Sequence, residues 1–444
     1  MKETAIIALL WGTHTPILLE YLSHTPGKRN VFLLKRMADE NGQRQDIEAL
    51  GAKVYTLEQP VTADEKQRIH QNQKDVQTRL DTTLKHCQPF LDAHGSPLLI
   101  PFAETAHLLS QTVMQHCSDI HICLTWLQRI QREFFVELIV SSEDVMSIAR
   151  TIMLWGKQAG IPSLHIQHSA GMSRPPPIHS QYFADHMAVY GIRSLQAYAN
   201  FPAQHISITG NPCWQVYTQY AMQKTTVRNL LAQTYALKPD QPLLVFGTTW
   251  APRLSAHTDL NSHRATLNAM LHAFRLLKTR HIDATLVIKD REANAKNAAN
   301  LNMIAALAAQ HGFTEHDYVY TTEDLEPLII AADVLISSDS SLSIEAMHVQ
   351  TPAINLDTEW VIMLGHAFHA EDGILSVSDY DAKHLSDTIA ALLTDKILRQ
   401  AQQHKMRQHV SLYNATAYEG NALTNAANVM RRIARQPDAA NTHA

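Results

Sequence analysis

Short apolar runs alternate with stretches of helical period along most of the chain, and this alternation restricts the fold more than any other feature. Runs such as Ala5–Leu10 and Leu243–Gly247 have no polar face. They must be buried on both sides, as in a parallel sheet covered by helices. Asn30–Leu34, Lys53–Thr56, Pro97–Pro101, Leu138–Ser141, Ser163–Gln167, Met187–Tyr190 and His205–Thr209 extend the series. A helix is expected over about Val145–Gln158 and a short one over Leu195–Tyr198. Helical period over Val216–Leu237 and the polar, proline-bearing stretch Lys238–Pro242 then close the first half. The second half repeats the scheme with strands at Leu243–Gly247, Ala284–Lys289, Tyr318–Tyr320, Asp333–Ser337 and Pro352–Leu356. Helices lie between them at about Arg264–Thr279, Ala295–His311 and Glu326–Ala332. The expectation is an α/β protein divided into 1–237, 238–415 and a helical end, 416–444.

Composition narrows the function classes. The 444 residues exceed one ordinary core, and 45% hydrophobic with 18% charged residues suits a soluble globular chain. Lysine plus arginine number 37 against 42 acidic residues, a formal charge of −5. That balance argues against a broad nucleic-acid surface, which needs clustered positive charge. The 26 histidines are scattered without an H-E-x-x-H pair. Cys87, Cys117, Cys123 and Cys213 have no C-x-x-C spacing, so neither a metal site nor a disulfide framework is expected. This cysteine usage leads us to expect a reducing cytoplasm, and the first apolar stretch, too short to span a membrane and without a small-residue cleavage site, reads as a first buried strand.

In open α/β sheets, ligands lie beyond the carboxyl ends of strands. Neither G-x-G-x-x-G nor G-x-x-x-x-G-K-[ST] is present. The run Val334–Leu356 offers another kind of anion site. A buried strand ends in Ser337, Ser338, Asp339, Ser340 and Ser341, and a helix starts near Leu342. Free amides at that helix start, with hydroxyls around them, suit a phosphate. Ordinary N-capping is the alternative. A capping box would need Ser or Thr three residues before Glu345, where Leu342 stands. A carboxylate among apolar neighbours needs a specific partner, and a pair of sugar hydroxyls would serve.

With these residues in place, Ala331–Ala346 and Thr351–Ile354 resemble the nucleotide-binding half of GT-B glycosyltransferases, especially those of bacterial surface polysaccharide synthesis. They are similar also to the related UDP-N-acetylglucosamine 2-epimerases and CDP-glycerol glycerophosphotransferases. Gly160–Gly171, Ala184–Gly191 and Ile208–Pro212 resemble the "Q-H-G", "adhiavwG" and "vTGNP" segments of that group, in the same order. Two departures stand out. Ser169 replaces the glycine after Gln167 and His168, and Lys289-Asp290-Arg291 replaces "K-x-H-P".

The resemblance implies two Rossmann-like domains whose parallel sheets face a central cleft. The first would bind the acceptor and the second the nucleotide-sugar donor, with the last helix crossing back. It implies an inverting glycosyl transfer without metal or resident cofactor, onto a surface glycan or lipid-linked acceptor. Ser340, Ser341, Lys289 and the turn Gly247, Thr248 and Thr249 would hold the donor phosphates, with Arg253 or Arg291 adding charge, and Glu345 would hold the ribose. Candidates for the base are His14, Asp144 and His168, each past a strand end, with Glu104 a fourth. Asp144 equally suits an N-cap, and His168 a brace of the cleft. A sugar-nucleotide 2-epimerase, a glycerophosphotransferase and a silent binding protein remain as alternatives. Asp379 and Asp381 mimic a D-x-D metal motif but suit a helix cap. Glu371-Asp372-Gly373 is similar to an acidic sialyltransferase motif but falls in the wrong half. Arg431, Arg432 and Arg435 could meet an anionic membrane surface from the inner face.

Overall fold

A computed structural model describes residues 2–25, 27, 29–38, 42–94, 102–142, 146–168, 182–196, 198–220, 223–248, 259–338, 340–357, 370–378 and 381–434. Among them, thirteen strands form two wholly parallel sheets. The first comprises β1 (Glu3–Leu9), β2 (Asn30–Leu33), β3 (Lys53–Thr56), β4 (Phe134–Ser141), β5 (Ser163–Ile166), β6 (His186–Val189) and β7 (Ile206–Ile208). Its order is β3-β2-β1-β4-β5-β6-β7. The second comprises β8 (Leu243–Gly247), β9 (Thr285–Lys289), β10 (Tyr318–Thr321), β11 (Val334–Ser338), β12 (Ala353–Asp357) and β13 (Ile374–Ser378), in the order β10-β9-β8-β11-β12-β13.

Apolar alternation explains why both sheets are sandwiched. Along β1, Ile6 and Ala8 enter one core while Ala5, Ile7 and Leu9 enter the core on the opposite face. In each sheet the winding direction reverses once, between β1 and β4 and between β8 and β11. Such switch points open a crevice at the carboxyl ends, because the flanking connections leave in opposite directions. The two halves are therefore Rossmann-like units in the GT-B arrangement.

Several segments tie the halves together. Trp214, Tyr217, Val227 and Leu231, which precede the linker stretch, share a core with β8, β11 and β12 residues of the second sheet. The helix Ala422–Ile433 packs Ala426, Ala427, Val429 and Met430 against Ile17, Leu18 and Tyr21 of the first. Arg431 donates to the Glu20 carbonyl, and Arg432 to the Ser207 hydroxyl. Gly191 lies so close to the chain at Leu412 and Tyr413 that a Cβ there would sit 2.6 Å from the Tyr413 carbonyl carbon. Asp372, 1% exposed, accepts two hydrogen bonds from Arg193 at 2.8 and 2.9 Å and one from the Tyr413 hydroxyl at 2.7 Å.

Some expectations need correction. Phe102 opens a helix, Phe102–Glu133, so Glu104 stands in a first helical turn. Paired with Ala63–His94, this helix makes a long antiparallel hairpin. The one helix expected over Val216–Leu237 is two, Gln215–Tyr220 and Lys224–Thr234. The short helix expected at Leu195–Tyr198 is a 3-10 turn over Ile192–Gln196, and β13 was not anticipated. Asp381 caps the helix Ala382–Thr394 by accepting from the Lys383 and His384 amides. The strand expected at Pro97–Pro101, together with Asp144, Ser169–Gly171, Thr249, Arg253, Asp379 and Arg435, lies outside the described residues.

Candidate functional site

The two switch points meet at one cleft. On the first side, the chain leaving β1 turns through Gly12–His14 into the helix Thr15–Ser23, whose Pro16 suits a first turn that needs no donor there. The Trp11 amide donates to the Ser142 hydroxyl at 3.1 Å, across the crevice between β1 and β4. His14 is buried, with Nδ1 3.1 Å from the Thr13 hydroxyl and Nε2 3.1 Å from the Tyr190 hydroxyl. Burial, aided by nearby His168, holds its pKa down at about 3, so the ring is neutral near pH 7. His168 follows β5 on the exposed rim, its ring centred 5.6 Å from that of His14 and 6.1 Å from Trp11. Fully buried Gln167 fixes this corner by accepting from the Tyr190 amide at 2.9 Å.

On the second side, Gly247 ends β8 where the Leu342 side chain closes over it, leaving no room for a Cβ. The neighbouring Thr248 donates its hydroxyl to Asp290 and its amide to the Lys289 carbonyl. Lys289 ends β9 and donates to the Asp290 carbonyl at 3.0 Å. Burial and then Arg291 lower its pKa. Ser337 and Ser343 pair at 3.1 Å beneath the turn, and the Ser340 hydroxyl accepts from the Leu342 amide at 3.3 Å. Glu345, in the first turn of the helix Leu342–Val349, is 8% exposed. Its carboxylate accepts from Ser341 at 3.2 Å and from the Tyr217 hydroxyl at 2.7 Å. Burial raises its pKa, and these donors act against that rise.

His14 and His168 thus lie together on one side, and Gly247, Thr248, Lys289, Ser340, Ser341 and Glu345 on the other. The Cys213 thiol reaches the Thr13 carbonyl at 3.1 Å, joining the turn Pro212–Trp214 to the His14 turn.

Asp290 was not singled out in the sequence. It is 1% exposed and accepts from Thr248, the Arg291 amide (2.8 Å), Asn294 (2.8 Å), Asn300 (2.9 Å) and Tyr320 (2.9 Å). Burial alone would raise its pKa, but these bonds outweigh it and the net shift is downward. The signal was present: an acid immediately after a buried strand, between two basic residues. Tyr190, Trp214, Tyr217 and His348 carried no such signal. Among the described residues no group of three or more His, Cys, Asp or Glu could hold a metal ion. No described helix is long and apolar enough to cross a membrane.

This architecture is the GT-B fold. Solved structures agree. A UDP-GlcNAc 2-epimerase from Neisseria meningitidis, bound to UDP-GlcNAc, superposes with a TM-score of 0.56 at 11% identity over 97% of this chain and 100% of its own. A glycosyltransferase from Rickettsia africae gives 0.57 at 10%, over 97% and 98%. HepE of Anabaena, in complex with UDP and glucose, gives 0.55 at 11%, over 96% and 99%. No family profile matches the sequence, and no curated protein matches it.

Proposed function

We propose that this chain is a glycosyltransferase moving a sugar from a nucleotide-activated donor to a hydroxyl of a surface glycan or its lipid-linked precursor. The observation that carries the reading is the meeting of two unlike switch points. One presents cations, hydroxyls and a helix start, and the other presents paired histidines.

The donor diphosphate sits at the start of the helix Leu342–Val349, near Lys289, Arg291, Ser340 and Ser341, and the ribose at Glu345. His168 takes the proton of the acceptor hydroxyl as that oxygen bonds to the anomeric carbon. The bond from the anomeric carbon to the diphosphate oxygen breaks with inversion, and the charge left on the nucleotide is met by the cations and helix amides without a metal. His168 then releases its proton to solvent. His14, neutral and bonded at both ring nitrogens, positions this corner. A lipid-linked acceptor would bring the working enzyme to the inner face of a membrane.

A sugar-nucleotide epimerase is the second reading, favoured by the equal likeness to the Neisseria enzyme. The test is incubation of purified protein with UDP-sugars, with and without glycan acceptors, followed by proton NMR. Nucleotide release that requires an acceptor supports transfer. A C2 epimer formed without acceptor overturns it in favour of the second reading.

A further inference from the structure

Part of the grip on Glu345 comes from outside its own domain's loops, through Tyr217. The turn Thr209–Pro212 leaves β7 with Gly210 packed against Thr416, and the Asn211 amide donates to Asn414 at 2.8 Å. Asn211 then caps the 3-10 turn Pro212–Trp214, and the chain continues as the helix Gln215–Tyr220. This route delivers Trp214 and Tyr217, both buried, to the helix that carries Glu345. The Tyr217 ring lies nearly parallel to His348, 5.8 Å between centroids, and Trp214 packs on His348 at 5.7 Å and on Tyr190 at 5.4 Å. His348 is itself tied to Asn414 at 3.3 Å. The Tyr217 ring is therefore fixed by packing, and only its hydroxyl reaches the carboxylate.

We infer that Tyr217 is a positioning residue for donor recognition, holding the Glu345 carboxylate in the orientation that accepts the ribose hydroxyls. The inference rests on the glycosyltransferase reading. A carboxylate has about four acceptor positions, so the bonds from Tyr217, Ser341 and Trp214 still leave room for a further donor. A buried Glu freed from Tyr217 would rotate or take up a proton, and either change removes an acceptor that the ribose needs. The same contact links the halves, since Tyr190 touches His14 on one side and Trp214 on the other.

The test is Tyr217→Phe, which keeps the ring and its packing. Binding of UDP, CDP and GDP to wild type and variant is measured by calorimetry, and the tightest is compared with its 2′,3′-dideoxy form. Loss of one charge-assisted hydrogen bond predicts about tenfold weaker binding of the ordinary nucleotide. The variant should also lose most of the discrimination between the two forms. Wild-type affinity in the variant overturns the inference, and so does equal weakening for both forms, which would mark a merely structural role. If wild type binds none of the three nucleotides, the glycosyltransferase reading falls and the inference with it.

Discussion

Removing the Asp290 carboxylate is the sharpest test of how the second side of the cleft is built. Five donors converge on this residue, which is 1% exposed. Each hydrogen bond to a charged group contributes about 1.5–3 kcal/mol. The sum overstates the effect, because the Thr248 and Tyr320 hydroxyls can rotate and the Asn294 and Asn300 amides can turn toward entering water. Asp290→Ala should therefore cost about 4 kcal/mol, at the upper edge of single substitutions. Asp290→Asn keeps the shape, but its amide faces Asn300 and Tyr320, so about 2 kcal/mol is expected. The pKa of Asp290 is lowered on folding. Its stabilisation is accordingly complete above the unfolded value, roughly 3.9, and fades as pH falls through the folded value. The gap between wild type and Asp290→Asn should narrow below about pH 4. Because each sheet has its own cores, the assay is hydrogen exchange of peptides from β8, β9 and β11 in increasing urea, at pH 7 and in acid. Asp290→Ala with protection within about 1 kcal/mol of wild type would refute the argument.

Four further outcomes follow from named contacts. His14, His165 and His348 are buried, with pKa values near 3, 3 and 4. The unfolded chain therefore binds more protons below pH 6.5, and stability should fall with acid by at most about 4 kcal/mol per pH unit. Urea midpoints across pH 7 to 5 check the slope, and His14→Asn should reduce it. Gly191→Ala sets a methyl against the backbone at Tyr413, which cannot rotate away, and should destabilise by about 3 kcal/mol. Gly247→Ala meets only the end of the Leu342 side chain and should cost about 1 kcal/mol, so thermal melts should rank the two. If the proposed transfer reaction is the activity, His168→Ala should lower its kcat by about a hundredfold while leaving donor affinity, measured by calorimetry, intact. Unchanged kcat would remove His168 as the base.

The strands were legible because their residues are buried on both faces, which leaves apolar runs such as Leu243–Gly247 with the same bounds in sequence and structure. Edges were harder. β13 carries two serines in its five residues, Ile374–Ser378, and has no such run. The hairpin Ala63–Glu133 was missed because its first helix is largely polar, with Gln, Asp and Thr on every side and little apolar stripe to count. Within the cleft, residues at strand ends could be found by position: His14, His168, Lys289 and the Ser340–Glu345 turn. Tyr217 and His348 could not. They sit on helices far apart in sequence, and only the fold brings 217 beside 345 and 348.

The helix Ala422–Ile433 also bears on how the molecule is made. Ala426, Ala427, Val429 and Met430 share a core with Ile6, Leu18 and Val140. Strands of the first sheet are thus sealed by residues translated well after them. The second sheet, with all its strands between 243 and 378, can close while the first still lacks its cover. The order of completion is the reverse of the order of translation. The first sheet, whose last strand ends at Ile208, must wait with part of one apolar face open for about 200 further residues to leave the ribosome.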